Sequence, residues 1–139
     1  MQTIGFIGQG WVGKHYADWF EQTGLYDIVR YDKNTYAVNK DAIRDCEVVF
    51  ICVPTQTNKN GFDDSIVDSV LSLLGDGNTA VIKSTILPGT TRKLQEKHKN
   101  ITVLFSPEFL REAHAADDVA NPERNVIGIT DEGQREIAE

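Results

Sequence analysis

The sequence has little of what several functional classes require. It holds two cysteines, Cys46 and Cys52, in 139 residues. If both lie along one strand, ~20 Å separates them, which is too far for a disulfide. A reducing, cytoplasmic setting is the simplest reading. Positive charge is also scarce: 14 Lys and Arg face 21 Asp and Glu, for a net charge of -7. A nucleic-acid surface would need a basic stripe, so nucleic-acid binding is excluded. Anionic ligands stay open, because helix N-terminal N–H groups can hold a phosphate without net positive charge. Long apolar runs are missing. The longest, Val48 to Val53, falls far short of the ~20 residues of a membrane span. No basic segment precedes the first apolar one, so no signal peptide is read at the start. His15, His98 and His114 have no partners at metal or triad spacing. No metal site is expected, and the three are read as solvent-facing.

What is present is an ordinary globular mixture, 40% hydrophobic and 25% charged. The length fits one domain, residues 1–139. Short apolar runs alternate with helical patterns, the mark of βαβ units around a parallel sheet. The spacing predicts strands at Thr3–Ile7, Asp27–Tyr31, Glu47–Val53, Thr79–Lys83, Ile101–Phe105 and Asn125–Ile129. Helices are expected over Trp11–Thr23, from Asp63 or Asp64 through Leu74, over Thr90–His98 and from Asp131, with a short helix or turn over Phe109–Asp118. Tyr36–Asp45 reads as a weakly helical link. The fold class is therefore α/β, a doubly wound Rossmann-type parallel sheet of about six strands. The last helix has barely begun at Glu139, which reads as an excised domain or a natural truncation.

Gly8-Gln9-Gly10-Trp11-Val12-Gly13 is a G-x-G-x-x-G that follows a strand and opens a helix, the context this motif requires. The first glycine allows the tight turn. The second lets a pyrophosphate approach the backbone, and the third lets helix pack on strand. Asp32 ends the second strand, roughly 20 residues further on, where an acid accepts from the adenosine ribose. It would repel the 2′-phosphate of NADP, so NAD is the expected cofactor. Lys33 beside it blurs that preference.

Three later loops narrow the reading. Val53-Pro54-Thr55 follows the third strand, and Lys83-Ser84-Thr85-Ile86-Leu87-Pro88-Gly89 follows the fourth. Ser106-Pro107-Glu108-Phe109-Leu110-Arg111-Glu112 follows the fifth, with Asn121-Pro122-Glu123-Arg124 beyond it. All leave the C-terminal ends of strands, where ligands bind in open parallel sheets. In this order they resemble the N-terminal domain of the UDP-glucose/GDP-mannose dehydrogenase family.

The resemblance implies oxidation of a nucleotide-sugar C6 alcohol toward the carboxylate, by hydride transfer to NAD, for polysaccharide biosynthesis. It implies that Val53, Pro54, Thr55, Ser84 and Thr85 line the NAD site. Glu108 would face the sugar as a base or water-positioning group, with Thr85 and Glu112 beside the chemistry and Glu112 near the nicotinamide. Bland readings stay open: Thr85 as a turn cap, Glu112 as a first-turn acid favoured by the helix dipole. Two departures stand out. Lys33–Asp45 is far shorter than the corresponding family segment, and Ala113 stands where glycine is common. The family's nucleophilic cysteine, lysine and asparagine would lie past residue 139, and Cys46 and Cys52 cannot stand in. The chain alone is therefore expected to bind NAD without turnover, and the nucleotide sugar to engage a further domain. Pro54, Leu87, Phe109 and Leu110 should be partly uncovered, a possible self-association patch. Two other readings remain: a stand-alone NAD-binding or regulatory module, and a Rossmann dehydrogenase of the 6-phosphogluconate or hydroxy-acid type.

Overall fold

A computed structural model describes all residues, Met1–Glu139. Strand β1 (Thr3–Ile7) is buried from Ile4 onward. Helix α1 (Trp11–Thr23) follows and ends at Gly24, which takes the left-handed conformation at φ 65° and donates its N–H to Glu21 O. Strand β2 (Asp27–Tyr31) leads into two short 3-10 turns, Ala37–Asn39 and Asp41–Asp45. Strand β3 (Val48–Ile51) precedes a small hairpin, β4 (Gln56–Asn58) and β5 (Gly61–Asp63). Then come α2 (Ser65–Leu71), β6 (Thr79–Ile82), α3 (Thr90–Lys97) and β7 (Thr102–Phe105). A 3-10 turn (Glu112–His114), α4 (Ala115–Ala120), a second turn (Glu132–Gln134) and α5 (Arg135–Ala138) complete the chain.

The main sheet has five parallel strands in the order β2-β1-β3-β6-β7. Strand order reverses between β1 and β3, so the crevice at their C-terminal ends is the switch point where such sheets bind ligands. Helices cover both faces. On the α1 face, Phe6 stacks on Phe50 at 5.1 Å and Phe20 closes over Phe50 at 5.5 Å, with Ile4 and Ala17 buried beside them. On the other face Val49, Ile51 and Ile82 meet Val67 and Leu71 of α2 and Leu94 of α3. The link after β2 also reaches this face through Ile43 and Cys46, both fully buried. Burying a side chain the size of Ile43 contributes ~1.5–3 kcal/mol. No helix is long and apolar enough to cross a membrane.

Three expectations are corrected. The stretch Asn125–Ile129 is not a sixth strand. It runs antiparallel to β7 and meets it at one pair, Phe105 with Gly128. Its preceding residues, Asn121–Val126, are exposed, so no buried face extends the ladder. The third strand is shorter than Glu47–Val53, because the chain turns outward at Cys52 toward the hairpin. His98 does not face solvent: it is buried at the end of α3 and its Nε2 lies 2.6 Å from Asp68 Oδ1 on α2. The N-cap of α2 is Asp64, which makes no side-chain cap bond, while Asp63 before it accepts the Ser65 N–H at 2.9 Å.

Candidate functional site

The glycines after β1 build a cradle at the switch point. Gly8 sits at φ +90°, and a Cβ there would meet Cys52 O at 2.5 Å. Its N–H donates to Tyr31 O at 2.9 Å. Gly13, in the first turn of α1, leaves no room for a side chain: a Cβ would sit 1.9 Å from Gly8 O. Both glycines therefore press α1 onto the ends of β1 and β3. Gly10 is different, since a Cβ there would meet nothing within 4 Å. It is the N-cap of α1 with no side-chain cap bond. The first-turn N–H groups above it have no intrahelical acceptor, and the helix dipole adds positive potential. An open space ringed by free N–H groups fits the pyrophosphate of a dinucleotide.

Asp32 closes one side of the cradle. Its Oδ1 accepts the Asn34 N–H at 2.8 Å and its Oδ2 the Gln9 N–H at 3.2 Å. The Asn34 N–H, opposed by partial burial and helped by Gln9, holds the Asp32 carboxyl below its ordinary range. It is an anion fixed beside the cradle. Arg30 braces the same loop from below: its guanidinium reaches Gln9 Oε1 at 3.2 Å, Asp18 Oδ1 at 2.7 Å and Glu21 Oε2 at 2.6 Å. Trp11 and Lys33 are exposed and Val12 is half-buried.

The loops after β3 and β6 are tied together. Ser84 Oγ donates to Val53 O at 2.7 Å, and Thr55 Oγ1 donates to Thr85 O at 2.6 Å. Ser84 and Val53 are buried, while Pro54 and Thr85 are exposed.

A cavity of about 270 Å³ opens beside them, between α1, the loop after β7 and the segment before Val126. Tyr16, Lys83, Ser106, Glu108, Phe109 and Arg124 are among its walls. Glu108 Oε1 accepts the Leu110 N–H at 2.7 Å. Its Oε2 is buried and has no hydrogen-bond partner, a group that normally costs ~1–3 kcal/mol when left alone. Lys83 Nζ stands 3.9 Å from that oxygen, 3.3 Å from Ser106 Oγ and 4.4 Å from the centre of the Tyr16 ring. Burial pushes the Lys83 ammonium down, against the pull of Glu108. Burial likewise raises the Tyr16 hydroxyl and takes the Cys52 thiol up to about 12. The loop itself is clasped from α4: Asp118 accepts the Arg111 N–H at 2.8 Å and the Arg111 guanidinium at 2.6 Å.

The expected residues thus fall in two groups. Gly8, Gly10, Gly13, Gln9 and Asp32 meet around one cradle, and Glu108 lines the cavity. Thr85 and Glu112 are not among the cavity walls, and Glu112 is exposed at the start of a 3-10 turn. Tyr16 and Lys83 were not expected there. Tyr16 reads as one more apolar position of α1. Lys83 stood in the quoted motif, and its place at the end of a buried strand was the available signal.

Comparison with known proteins follows the same line. Residues 32–139 match the UDP-glucose/GDP-mannose dehydrogenase family, NAD binding domain. A UDP-glucose 6-dehydrogenase of Streptococcus pneumoniae is 40% identical over 90 residues, covering 61% of this chain and 23% of that protein. A GDP-mannose 6-dehydrogenase of Pseudomonas aeruginosa is 32% identical over 118 residues, 72% of this chain and 27% of that protein. The solved structure of a UDP-glucose dehydrogenase from Pyrobaculum islandicum superposes with a TM-score of 0.80 at 25% identity, over 99% of this chain and 43% of that one. The chain thus spans about a quarter of the length of these two curated relatives. It belongs to the UDP-glucose/GDP-mannose dehydrogenase family and is an NAD-binding domain of that family.

Proposed function

We propose that this domain serves the oxidation of a nucleotide-sugar C6 alcohol toward the carboxylate, holding NAD in the cradle and the sugar end of the substrate at the adjoining cavity. The observation that carries the proposal is Glu108 Oε2, buried without a partner on a residue of the cavity wall, a wall that also includes Tyr16 of α1, the helix whose N-terminus forms the cradle. A carboxylate oxygen without a partner keeps its accepting capacity for an alcohol proton or a water, once side-chain movement opens it to the ligand. NAD, when bound, supplies the hydride acceptor. Gly8, Gln9, Gly10, Trp11, Val12 and Gly13 hold its pyrophosphate through backbone N–H groups. Asp32 accepts from the adenosine ribose, with Lys33 at its rim. Val53, Pro54, Thr55, Ser84 and Thr85 border the cofactor, and Glu112 lies toward the nicotinamide end. Thr85 and Glu112, both exposed here, take up these places when ligands and further protein cover this edge of the sheet.

These residues alone bind NAD without turning over. Carrying an alcohol to an acid needs a covalent handle for the aldehyde, which means an activated nucleophile. Cys46 is fully buried with its thiol raised to about 11 by burial and by Asp45, and the Cys52 thiol is raised to about 12. Neither is a thiolate near neutral pH. Two free thiols accord with a cytoplasmic setting. The test is to mix the purified chain with NAD and UDP-glucose or GDP-mannose. Nuclear magnetic resonance should show the sugar nucleotide perturbing Glu108, Phe109 and Leu110 while absorbance shows no steady NADH. Perturbation elsewhere would contradict the placement of the sugar, and any steady NADH formation would contradict the absence of turnover.

A further inference from the structure

Lys83 is the one cation buried in the cavity wall, and nothing so far gives it a task. Its side chain is 5% exposed, yet no carboxylate oxygen lies within hydrogen-bond distance of Nζ. Its contacts are weaker or longer: Ser106 Oγ at 3.3 Å, Ser106 O at 3.4 Å, the Tyr16 ring at 4.4 Å and Glu108 Oε2 at 3.9 Å. Four elements converge there. Tyr16 comes from α1, Cys52 from the end of β3, Lys83 from the end of β6 and Glu108 from the loop after β7.

We propose that Lys83 is a positioning residue for Glu108. Clamped by the Tyr16 ring and Ser106, its ammonium faces Glu108 Oε2 across 3.9 Å and leaves that oxygen without a hydrogen bond. This rests on the assignment of Glu108 to the substrate alcohol. The geometry separates two jobs on one carboxyl group. The Leu110 N–H fixes Oε1. Lys83 stands just beyond direct contact with Oε2, so it lends charge without occupying the site a substrate hydroxyl would take. A tight ion pair would spend that oxygen on Lys83. The aromatic ring is what allows the lysine to stay charged without one, since a ring face attracts a desolvated cation. The groups facing Nζ are few. The Cys52 thiol, raised to about 12, is neutral below that pH, and the Tyr16 hydroxyl is raised as well. Asp118 acts on Tyr16 from α4. Glu108 is therefore the one anion against the ammonium, and the coupling is mutual: each group changes the other's proton affinity by the same factor.

The experiment uses the ligand-free chain with isotope-labelled lysines and follows the Lys83 side-chain signal, assigned through Lys83→Arg, against pH. Glu108→Gln should lower the proton affinity of Lys83 at least tenfold. Tyr16→Leu should lower it too, whereas Tyr16→Phe, which keeps the ring, should leave it unchanged. In the unmutated chain the Lys83 signal should also move in acid, where the negative charge facing it is lost, so the result does not depend on any variant folding. A Lys83 titration that stays within twofold in Glu108→Gln, or no acid movement in the unmutated chain, overturns the proposal. Neither readout involves a sugar or NADH. A positive result alongside failed nucleotide-sugar binding would sink the substrate reading and leave the Lys83–Glu108 pair standing.

Discussion

At Gly8, Gly10 and Gly13 the same residue type does three different things, and substitution separates them. Gly13→Ala forces a Cβ to 1.9 Å from Gly8 O, so α1 must move off β1. A thermal melt should show a loss of several degrees, corresponding to roughly 1–3 kcal/mol of overpacking. Gly10→Ala meets nothing within 4 Å and sits at φ -72°, which alanine adopts freely. That variant should melt within ~1 kcal/mol of the parent, the difference being that alanine caps a helix less well than glycine, and yet bind NAD at least tenfold more weakly, because the methyl group fills the cradle. Normal NAD affinity in Gly10→Ala would place the pyrophosphate elsewhere. Asp32→Ala removes charge-assisted acceptors worth ~1.5–3 kcal/mol, so calorimetry should find NAD bound about ten- to a hundredfold more weakly. The glycines and Asp32 were legible in sequence because their spacing is local and each need is a backbone need. That Lys83 and Tyr16 meet was not. Their meeting depends on how far α1 leans over β6, a distance no motif encodes.

Among the elements, aspartates tie α2 to α3 and α4 to the loop after β7. Asp68 of α2 receives His98 Nε2 at 2.6 Å and the Lys97 ammonium from α3. The Lys97 contact first, then His98, lowers the Asp68 carboxyl. Asp68→Ala would leave buried His98 without its partner, and denaturant unfolding should register a loss of ~1–3 kcal/mol. Lys97→Ala, by contrast, removes an exposed cation and should cost no more than about 1 kcal/mol.

Asp118 of α4 offers a pH test. Arg111, through its guanidinium and its N–H, holds that carboxyl down to about 2 from an ordinary 3.8. A depressed carboxylate contributes stability above its unfolded value and loses it as pH falls through the folded one. The Arg111 clasp should therefore be intact above about pH 4 and released toward about 2. The Arg111 amide resonance should titrate there, and should lose that titration in Asp118→Asn. Helix α1 and its Gly24 cap were legible from a thirteen-residue apolar period. The β4–β5 hairpin was not, because its residues are nearly all exposed and carry no alternation to read. His98 was misread for a related reason: its partner lies 30 residues away, beyond any local spacing rule.

For the whole molecule, the five-stranded order follows from alternation and crossover rules that a sequence displays openly. The missing sixth strand shows where they stop, since one antiparallel bridge at Gly128 depends on packing rather than on pattern. The C-terminal edge of the sheet carries exposed Leu87 and Phe109, 54% and 52% accessible. Apolar groups beside a binding crevice favour association, so light scattering at rising concentration should detect dimers that Leu87→Ser with Phe109→Ser abolishes. A strict monomer at every concentration would assign those residues to ligand contact alone.

The most direct measurement is a calorimetric titration of the purified chain with NAD and, separately, with NADP. The cradle at Gly10 and the anion at Asp32 require one-to-one binding of NAD, at least tenfold tighter than NADP, with the difference largely removed in Asp32→Ala. Absence of NAD binding, or equal affinity for the two cofactors, would contradict the dinucleotide site at the β1–β3 switch point.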